Sequence, residues 1–588
     1  MTMLPFPAGS RRIATISATV SRAWPNRYDV VVFFALAAIF IAIAHGAQSM
    51  HRPIEGLQQN PVSLDPVNLP QYALLTTLRM FAAIGFSLLF TFIVAPLAAK
   101  SKKAERVIIP ALDILQSVPV LGFLTFTVAF FLNLFPGSQL GAELAAIFAI
   151  FTSQAWNMTF SFYQSLRTIP NDLDDVTTHF HLSPWQRFWK LEAPFATPGL
   201  VWNTMMSMSG GWFFVVASEA ISVGDTRIAL PGIGSYLSLA IDEKNIEAVA
   251  WAVAAMGVVI MLYDQLVFRP VVAWADKFRT ELVAAQDQPE SWVLDLLRRT
   301  RAIQALNEFL GGLLRMFSVN VSYYSKRLPE AKVNMAASKA LDWIFNLALF
   351  GVVVWGVYSV VTYVRVALGW PDVVEAVTDG FITFLRVIVL IAIASAIWVP
   401  IGVYIGLRPA LAERVQPVAQ FLAAFPANVL FPFVVVGIAA YHLNSDIWLS
   451  PLIVLGTQWY ILFNVIAGAS MFPNDLREVS KLYHLKRWQW WRRVILPGIL
   501  PYYVTGALTA SGGSWNASII AEVVSWGDTK LEAHGLGAYI ANATAAGDFH
   551  RVVLGIGVMS IFVVTVNRVL WRRLYAYAER RLGSEGLG

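Results

Sequence analysis

Residues 170–198 read PNDLDDVTTHFHLSPWQRFWKLEAPFATP, and residues 473–501 read PNDLREVSKLYHLKRWQWWRRVILPGILP. Aligned without a gap at an offset of 303 residues, they share Pro170-Asn171-Asp172-Leu173 with Pro473-Asn474-Asp475-Leu476 and His181-Leu182 with His484-Leu485. Trp185-Gln186 then meets Trp488-Gln489, and Pro194 and Pro198 meet Pro497 and Pro501. The same offset carries on downstream. Gly210 and Trp212 pair with Gly513 and Trp515, Glu219 with Glu522, Gly224-Asp225-Thr226 with Gly527-Asp528-Thr529, and Gly232, Gly234 and Tyr236 with Gly535, Gly537 and Tyr539. Upstream the register drifts by a few residues but persists, as in Leu78-Arg79 against Leu385-Arg386. The repeating unit is half a protein, not a short solenoid module.

Composition says where those halves reside. Of 588 residues, 57% are hydrophobic and 14% charged, and the mean hydropathy is +0.59. A soluble chain carries about 25% charge, so soluble and disordered readings fall away. There is no cysteine, which excludes a disulfide scaffold, thiolate catalysis and cysteine zinc sites. A helix needs about 20 apolar residues to cross a bilayer. Charge-free stretches of that order run 30–47, 80–99, 114–134, 144–166, 195–218 and 248–263, then 344–364, 387–407, 415–441, 447–470, 494–521 and 552–567. The expectation is an all-α polytopic membrane protein with two six-helix repeats and about 12 transmembrane helices. An even number of spans per half makes the repeats parallel, related by an axis along the membrane normal.

Lysine and arginine set the orientation. They gather at Arg11, Arg12, Arg22 and Arg27, at Lys100, Lys102, Lys103 and Arg106, in the segment from Lys277 to Arg301, and at Arg572, Arg573, Arg580 and Arg581. Loops 135–141 and 442–450 have none. Both termini and the connector are therefore expected in the cytoplasm, and the net charge of +6 reflects this bias, not nucleic-acid binding. The expected organisation is a cytoplasmic segment 1–28, repeats 29–269 and 341–572, a cytoplasmic connector 270–340 with an amphipathic stretch at 291–317, and a tail 573–588. Residues 1–28 lack the apolar run of a signal peptide.

The duplicated segment lies in a cytoplasmic loop between the fourth and fifth spans of each half. It resembles the coupling loop of binding-protein-dependent ABC importer permeases, whose pattern is E-A-A, three residues, G, nine residues, I, one residue, L-P. The first copy offers Asp175-Val176-Thr177, His181, Leu191 and Ala193-Pro194; the second offers Glu478-Val479-Ser480, His484, Val494 and Leu496-Pro497. The acidic start complements a helix dipole, and the proline is expected to stop the cytoplasmic helix before the next span. Histidine stands in both copies where the family has glycine, at a turn geometry glycine favours. A metal role for His179 and His181 finds no repeated carboxylate cluster to support it.

Within that family the chain is similar to the nitrate/taurine/sulfonate/bicarbonate group, through Leu78-Arg79 and Leu385-Arg386, Glu219 and Glu522, and the Leu230–Gly234 run. The resemblance implies a type I importer-like permease with two units fused in one chain. It implies two separate ABC ATPase subunits, an extracytoplasmic binding protein, a small anionic substrate, and residence in a bacterial inner membrane. Asp175, Val176, Thr177, His181 and Pro194, with Glu478, Val479, Ser480, His484 and Pro497, would form the coupling surfaces. Gly210, Gly211, Glu219, Gly513, Ser514 and Glu522 would lie on the substrate pathway, although small residues also serve close packing and each glutamate could equally be an interfacial ion pair. Arg79 and Arg386 either snorkel to headgroups or flank a central anion.

The chain has no Gly-Lys pair and hence no Walker loop. No cofactor is expected on it; ATP and magnesium would be bound by the partner. Two other classes compete. A secondary transporter with parallel repeats would show ionisable residues at midspan, and a membrane enzyme would show a catalytic cluster in one half. The duplicated coupling segment favours the importer over both.

Overall fold

The structure is a computed structural model that describes residues 27–50, 62–117, 120–223, 226–278, 291–301, 303–305, 335–470, 478, 480, 482–485 and 487–582. The described parts form two compact units. One comprises Met1–Ser49, Gln164–Trp202 and Leu262–Lys332, the other Met50–Tyr163, Asn203–Met261 and Val333–Gly588.

Eleven of the twelve apolar stretches fall, to within a residue, in a helix or a bent helix pair, while residues 114–134 run from the end of Lys102–Ser117 through Val120–Leu134, with 118–119 outside the described residues. Among the described residues, six helices are long and apolar enough to cross a membrane, or up to eight if each of two bent pairs is one span. The count of about twelve is thus met only in part. Backbone N–H and C=O groups have no water to bond inside a bilayer, so continuous helix is the default. Leu69–Lys100 shows this: Pro70 stands in its first turn, where the missing N–H costs nothing, and it then runs 32 residues. Met335–Ala367 presents Trp343, Leu347, Phe350 and Trp355 outward, the composition of a lipid-facing span.

Two stretches expected as single spans are broken. Residues 415–441 divide into Pro417–Ala424 and Ala427–Ala440 at 74°, and residues 447–470 into Ser445–Leu455 and Gln458–Ser470 at 44°. The first break has a local cause. Phe425 precedes Pro426, whose ring pushes its neighbour out of the helical region, and Phe425 is extended at ψ 124.

The core of the second unit gathers around the second repeat, where Trp515, Ile461 and Val465 pack together with Phe214 and Ala149 from the first repeat. The repeat-related Trp212 and Trp515 are both buried. The all-helical expectation needs one addition. Each half closes its fifth-span helix, Ala193–Glu219 or Leu496–Ala521, with a two-stranded antiparallel hairpin. These are β1 (Ala220–Val223) with β2 (Thr226–Ala229), and β3 (Val523–Trp526) with β4 (Thr529–Glu532). In the second hairpin Gly527-Asp528 is the turn, and Gly527 has φ +55, a conformation glycine adopts without strain; Gly224 and Asp225 of the first lie outside the described residues. After each hairpin comes a short helix, Ile233–Asp242 or Leu536–Ala545. The second turn also touches the first repeat. Gly527 N–H donates to the Ile241 carbonyl at 2.9 Å, and Lys244 Nζ donates to Asp528 Oδ2 at 2.9 Å. The Lys244 hydrogen bond, and then its charge, hold the Asp528 carboxyl below the usual carboxylate value.

In the connector, helix Trp292–Arg299 is capped by Ser291, whose Oγ accepts from Leu294 N–H. It packs beside Arg269–Ala275 in the first unit. The remainder of the expected amphipathic stretch, residues 306–317, lies outside the described residues.

Candidate functional site

Glu219 ends the helix Ala193–Glu219 with its side chain fully buried. A carboxylate removed from water needs partners on every oxygen, and here they come from two other elements. Oε1 accepts from Thr76 Oγ1 at 2.7 Å and from Arg79 at 2.7 Å, both on Leu69–Lys100. Oε2 accepts from the Gly234 N–H at 2.7 Å. That donor opens the short helix Ile233–Asp242, so the carboxylate also sits against a helix N-terminus. Arg79 is closed off in turn. It reaches Glu143 through Nε at 2.6 Å and a terminal nitrogen at 2.8 Å, and the Pro231 carbonyl at 3.0 Å.

The second repeat builds the same clasp. Thr383 Oγ1 donates to Glu522 Oε1 at 2.9 Å and Arg386 to the same oxygen at 2.5 Å, while the Ala538 N–H reaches Oε2 at 3.1 Å. In both clasps the threonine hydroxyl also accepts from the first residue of the short helix, Ile233 or Leu536. The glycines explain the close approach. A methyl group at Gly535 would lie 2.5 Å from Glu522 Oε2, and one at Gly232 would overlap the Glu219 carboxylate.

The clasps differ in one carboxylate. Glu143 and Asp446 stand at the same offset of 303, but aspartate is one methylene shorter. Asp446 stops 3.7 Å from Arg386 and instead accepts from the His534 N–H at 2.7 Å. The first clasp is sealed, with Arg79 at 0% exposure, whereas Arg386 is at 9% and Asp446 at 41%. This corrects both sequence readings of Arg79. It does not snorkel, and four of its five N–H groups already serve carboxylates and a carbonyl, leaving little to offer an anion. Arg386, paired with Glu522, is likewise held within the fold. Glu143, Asp446, Thr76 and Thr383 were not singled out from sequence; extending the 303-residue register to 143 and 446 would have found the acidic pair.

The first of the two segments expected to couple is described throughout, and the described residues of the second repeat its ending. Asn171–His179 carries Asp172 and Asp174 in its first turn; Asp175 is exposed, Val176 is 50% exposed and Thr177 is buried. The helix ends when the Leu182 N–H bonds back to the Thr177 carbonyl at 3.1 Å and the His181 N–H to Thr178 at 3.0 Å. That is a Schellman ending, which requires a left-handed residue before the last donor. His181 supplies it at φ +48, and His484 at φ +47 with Leu485 N–H bonded to Ser480. Histidine thus preserves the turn where glycine was expected. Val479 lies outside the described residues. Replacing His181 and His484 with glycine should leave the loop intact, whereas valine should cost about 1–2 kcal/mol at each left-handed position. Protease sensitivity of the loop in purified protein reads this directly.

The prolines do not end a helix. Ala193 N–H bonds to the Phe188 carbonyl and Leu496 N–H to Trp491, so a π-turn leads into the fifth span just before Pro194 and Pro497. The wider turn reorganises the bonding that proline would otherwise break, and the chain enters the span unbroken. In the first segment Arg187 braces this junction through Asp174 at 2.7 Å and Glu192 at 3.1 Å.

On the fifth spans the small residues are packed closely. A methyl at Gly211 would meet Gln154 Nε2 at 2.6 Å, and one at Gly513 would meet Thr457 at 2.7 Å. Ser514 shares a hydrogen bond with Thr457 at 2.9 Å. Gly210 is looser, with the Tyr460 hydroxyl 3.5 Å from its missing methyl. No cluster of metal-binding side chains occurs among the described residues.

A family model described as "Binding-protein-dependent transport system inner membrane component" matches residues 70–269 and again 398–584. Similar proteins include the bicarbonate transport system permease protein CmpB of Synechococcus elongatus, 28% identical over 189 residues, 32% of this chain and 63% of that protein. The nitrate import permease protein NrtB of Leptolyngbya laminosa is 26% identical over 185 residues, again 32% of this chain and 63% of that protein. A probable ABC transporter permease protein of Brucella abortus is 25% identical over 252 residues, 40% of this chain and 96% of its own length. The chain thus spans 63% of the length of the first two. Two matches of the family model, falling on two repeats that each carry the clasp, make this chain a multi-pass membrane protein of the binding-protein-dependent transport system inner membrane component family, with the family's domain present twice.

Proposed function

We propose that this chain forms the whole translocation pathway of an ATP-driven importer of a small anionic solute. Its repeats, 29–269 and 341–572, take the places of two permease subunits, tied by the connector 270–340. Both termini face the cytoplasm. ATP and magnesium are bound by two partner ATPase subunits, and an extracytoplasmic binding protein delivers the solute. The anionic class is supported by the bicarbonate and nitrate permeases among the similar proteins.

The observation that carries this reading is the pair of coupling segments. Both end in a left-handed histidine turn, and both leave large apolar side chains unburied. Val176, Phe180, Trp185 and Trp189 are exposed in the first, and Leu482, Tyr483 and Trp488 in the second. Contiguous apolar side chains on a polar loop mark a protein-binding surface. Asp175 and Glu478 are exposed beside them; Asp175 lies one turn into its helix, behind the first-turn carboxylates Asp172 and Asp174. On this reading the clasps anchor the short helices Ile233–Asp242 and Leu536–Ala545, and Gly210, Gly211, Gly513 and Ser514 line the pathway or pack directly behind it.

The test is the double change Asp175→Lys and Glu478→Lys. Because both side chains are exposed, membrane levels should be unchanged, while ATP-dependent uptake should fall at least tenfold and ATPase subunits should no longer co-purify. Wild-type uptake in the double variant, or uptake driven by an ion gradient with no ATPase attached, would replace this reading with a secondary transporter.

A further inference from the structure

One face of the helix Ala193–Glu219 meets the second repeat through Met206, Gly210 and Phe213. Met206 packs against a cluster of Ile405, Ala419 and Phe463. A methyl added at Gly210 would lie 3.5 Å from the Tyr460 hydroxyl, and the Phe213 carbonyl accepts from Asn428 Nδ2 at 3.3 Å. Gly210 and Phe213 are three residues apart, hence neighbours on one helix face separated by about 4.5 Å of rise. Tyr460 and Asn428 therefore approach the same stretch of that helix from the second repeat.

Neither polar group is satisfied. Asn428 is 8% exposed, and its Oδ1 has no hydrogen-bond partner. The amide cannot turn to cure this, because Nδ2 must face the Phe213 carbonyl. The Tyr460 hydroxyl, on a half-buried side chain, makes no hydrogen bond among the described residues. Buried polar atoms are ordinarily paired, and the Asn428 oxygen is an exception that calls for a reason.

Both residues also stand beside breaks in their spans. Asn428 lies in the tight turn Ala427–Leu430 after the 74° bend, and Tyr460 follows the 44° bend at residues 456–457. The two breaks abut, since a methyl at Gly456 would lie 3.5 Å from the Ala427 methyl. Interrupted helices at a repeat interface are where membrane transporters bring polar groups to a solute.

We propose that Tyr460, Asn428 and the open flank of Gly210 form a transient solute-binding site in the pathway. Its two free groups, a hydroxyl donor and an amide oxygen that only accepts, select a small oxyanion that retains an O–H or N–H of its own. A hydrogencarbonate or an aminosulfonate carries both an acceptor for the hydroxyl and a donor for the amide oxygen. Nitrate, with acceptors alone, leaves Asn428 Oδ1 unpaired. Uncharged contacts keep the site weak enough to release what it binds. The inference rests on the proposed importer reading, and the two fail differently.

The experiment measures uptake of labelled hydrogencarbonate, aminoethanesulfonate and nitrate by cells expressing the full chain with its partner subunits. At least one donor-bearing probe should enter at ten times the rate of nitrate or more. Tyr460→Phe and Asn428→Leu should each lower that uptake about tenfold at unchanged membrane levels, the loss expected when a buried hydrogen bond to substrate is removed. Asn428→Leu should also shrink the preference over nitrate, a change that a binding protein upstream cannot produce. Gly210→Ala, which meets only ordinary contact distances, should fold normally and lower uptake by covering the Tyr460 hydroxyl. Nitrate entering as fast as the others overturns the solute class. Unchanged uptake and selectivity in both single variants overturn the site while leaving the importer standing. No uptake of any probe by the wild-type chain would sink the small-oxyanion importer reading, and this site with it.

Discussion

Arg79→Met should destabilise the protein by about 3–5 kcal/mol, the usual cost of breaking a buried ion pair and stranding its partner. Two carboxylates are stranded here, Glu143 and Glu219, both within 1% of full burial. Arg386→Met should cost clearly less, because Asp446 is 41% exposed and water can take over its solvation. Thermal unfolding in detergent, followed by loss of the monodisperse peak, measures the difference. The triple change Arg79→Met, Glu143→Gln, Glu219→Gln should recover much of the lost stability by removing the unpaired charges while keeping volume and hydrogen bonds. Equal losses for Arg79→Met and Arg386→Met would mean that the paired contact between Arg79 and Glu143 adds nothing.

The second large effect is expected from a single methyl group. At Gly234 it would overlap the Val216 carbonyl oxygen, and at Gly537 the Ser518 carbonyl oxygen. Neither obstacle is a side chain that could swing away. Gly234→Ala must lift the short helix off the end of the fifth span, and with it the N–H that bonds Glu219 at 2.7 Å. Overpacking of this kind costs about 3 kcal/mol at the upper end of its usual range, and weakening a hydrogen bond to a buried charge adds to it. Gly85→Ala is the control. Its added methyl meets nothing within 4 Å in the middle of a helix, where alanine is favoured by about 0.5–1 kcal/mol. If Gly234→Ala and Gly85→Ala behave alike in thermal unfolding, the close approach of the short helix is not what holds the clasp.

Much of this protein is written in local signals. Runs of about 20 uncharged residues must become helices in a bilayer whatever else happens, so the spans could be read one at a time. The duplication could be read as well, because it is a property of the string itself. The pairing of Glu219 with Glu522 and of Arg79 with Arg386 followed from it, as did the two coupling segments and their histidines. The hairpins were within reach too, since each Gly-Asp follows a short run rich in strand-forming residues, Ile221-Ser222-Val223 or Val523-Val524-Ser525-Trp526.

What the tertiary structure decided is the state of each charge. Arg79 and Arg386 occupy corresponding places, yet one is sealed and the other borders water. The cause is a carboxylate 64 residues along the chain, Glu143, against the shorter Asp446 in the other repeat. No periodicity reports which acid an arginine meets, because that depends on helices packing across an intervening span. The same holds for the glycines at 232, 234, 535 and 537, whose missing side chains matter only once a carboxylate and a carbonyl arrive from elsewhere. It holds also for Asn428 and Tyr460, inconspicuous polar residues until two bent helices bring them to one face of the first repeat's fifth span. Local sequence is enough to specify elements whose backbone must satisfy itself; the burial and partners of a side chain belong to the packed whole.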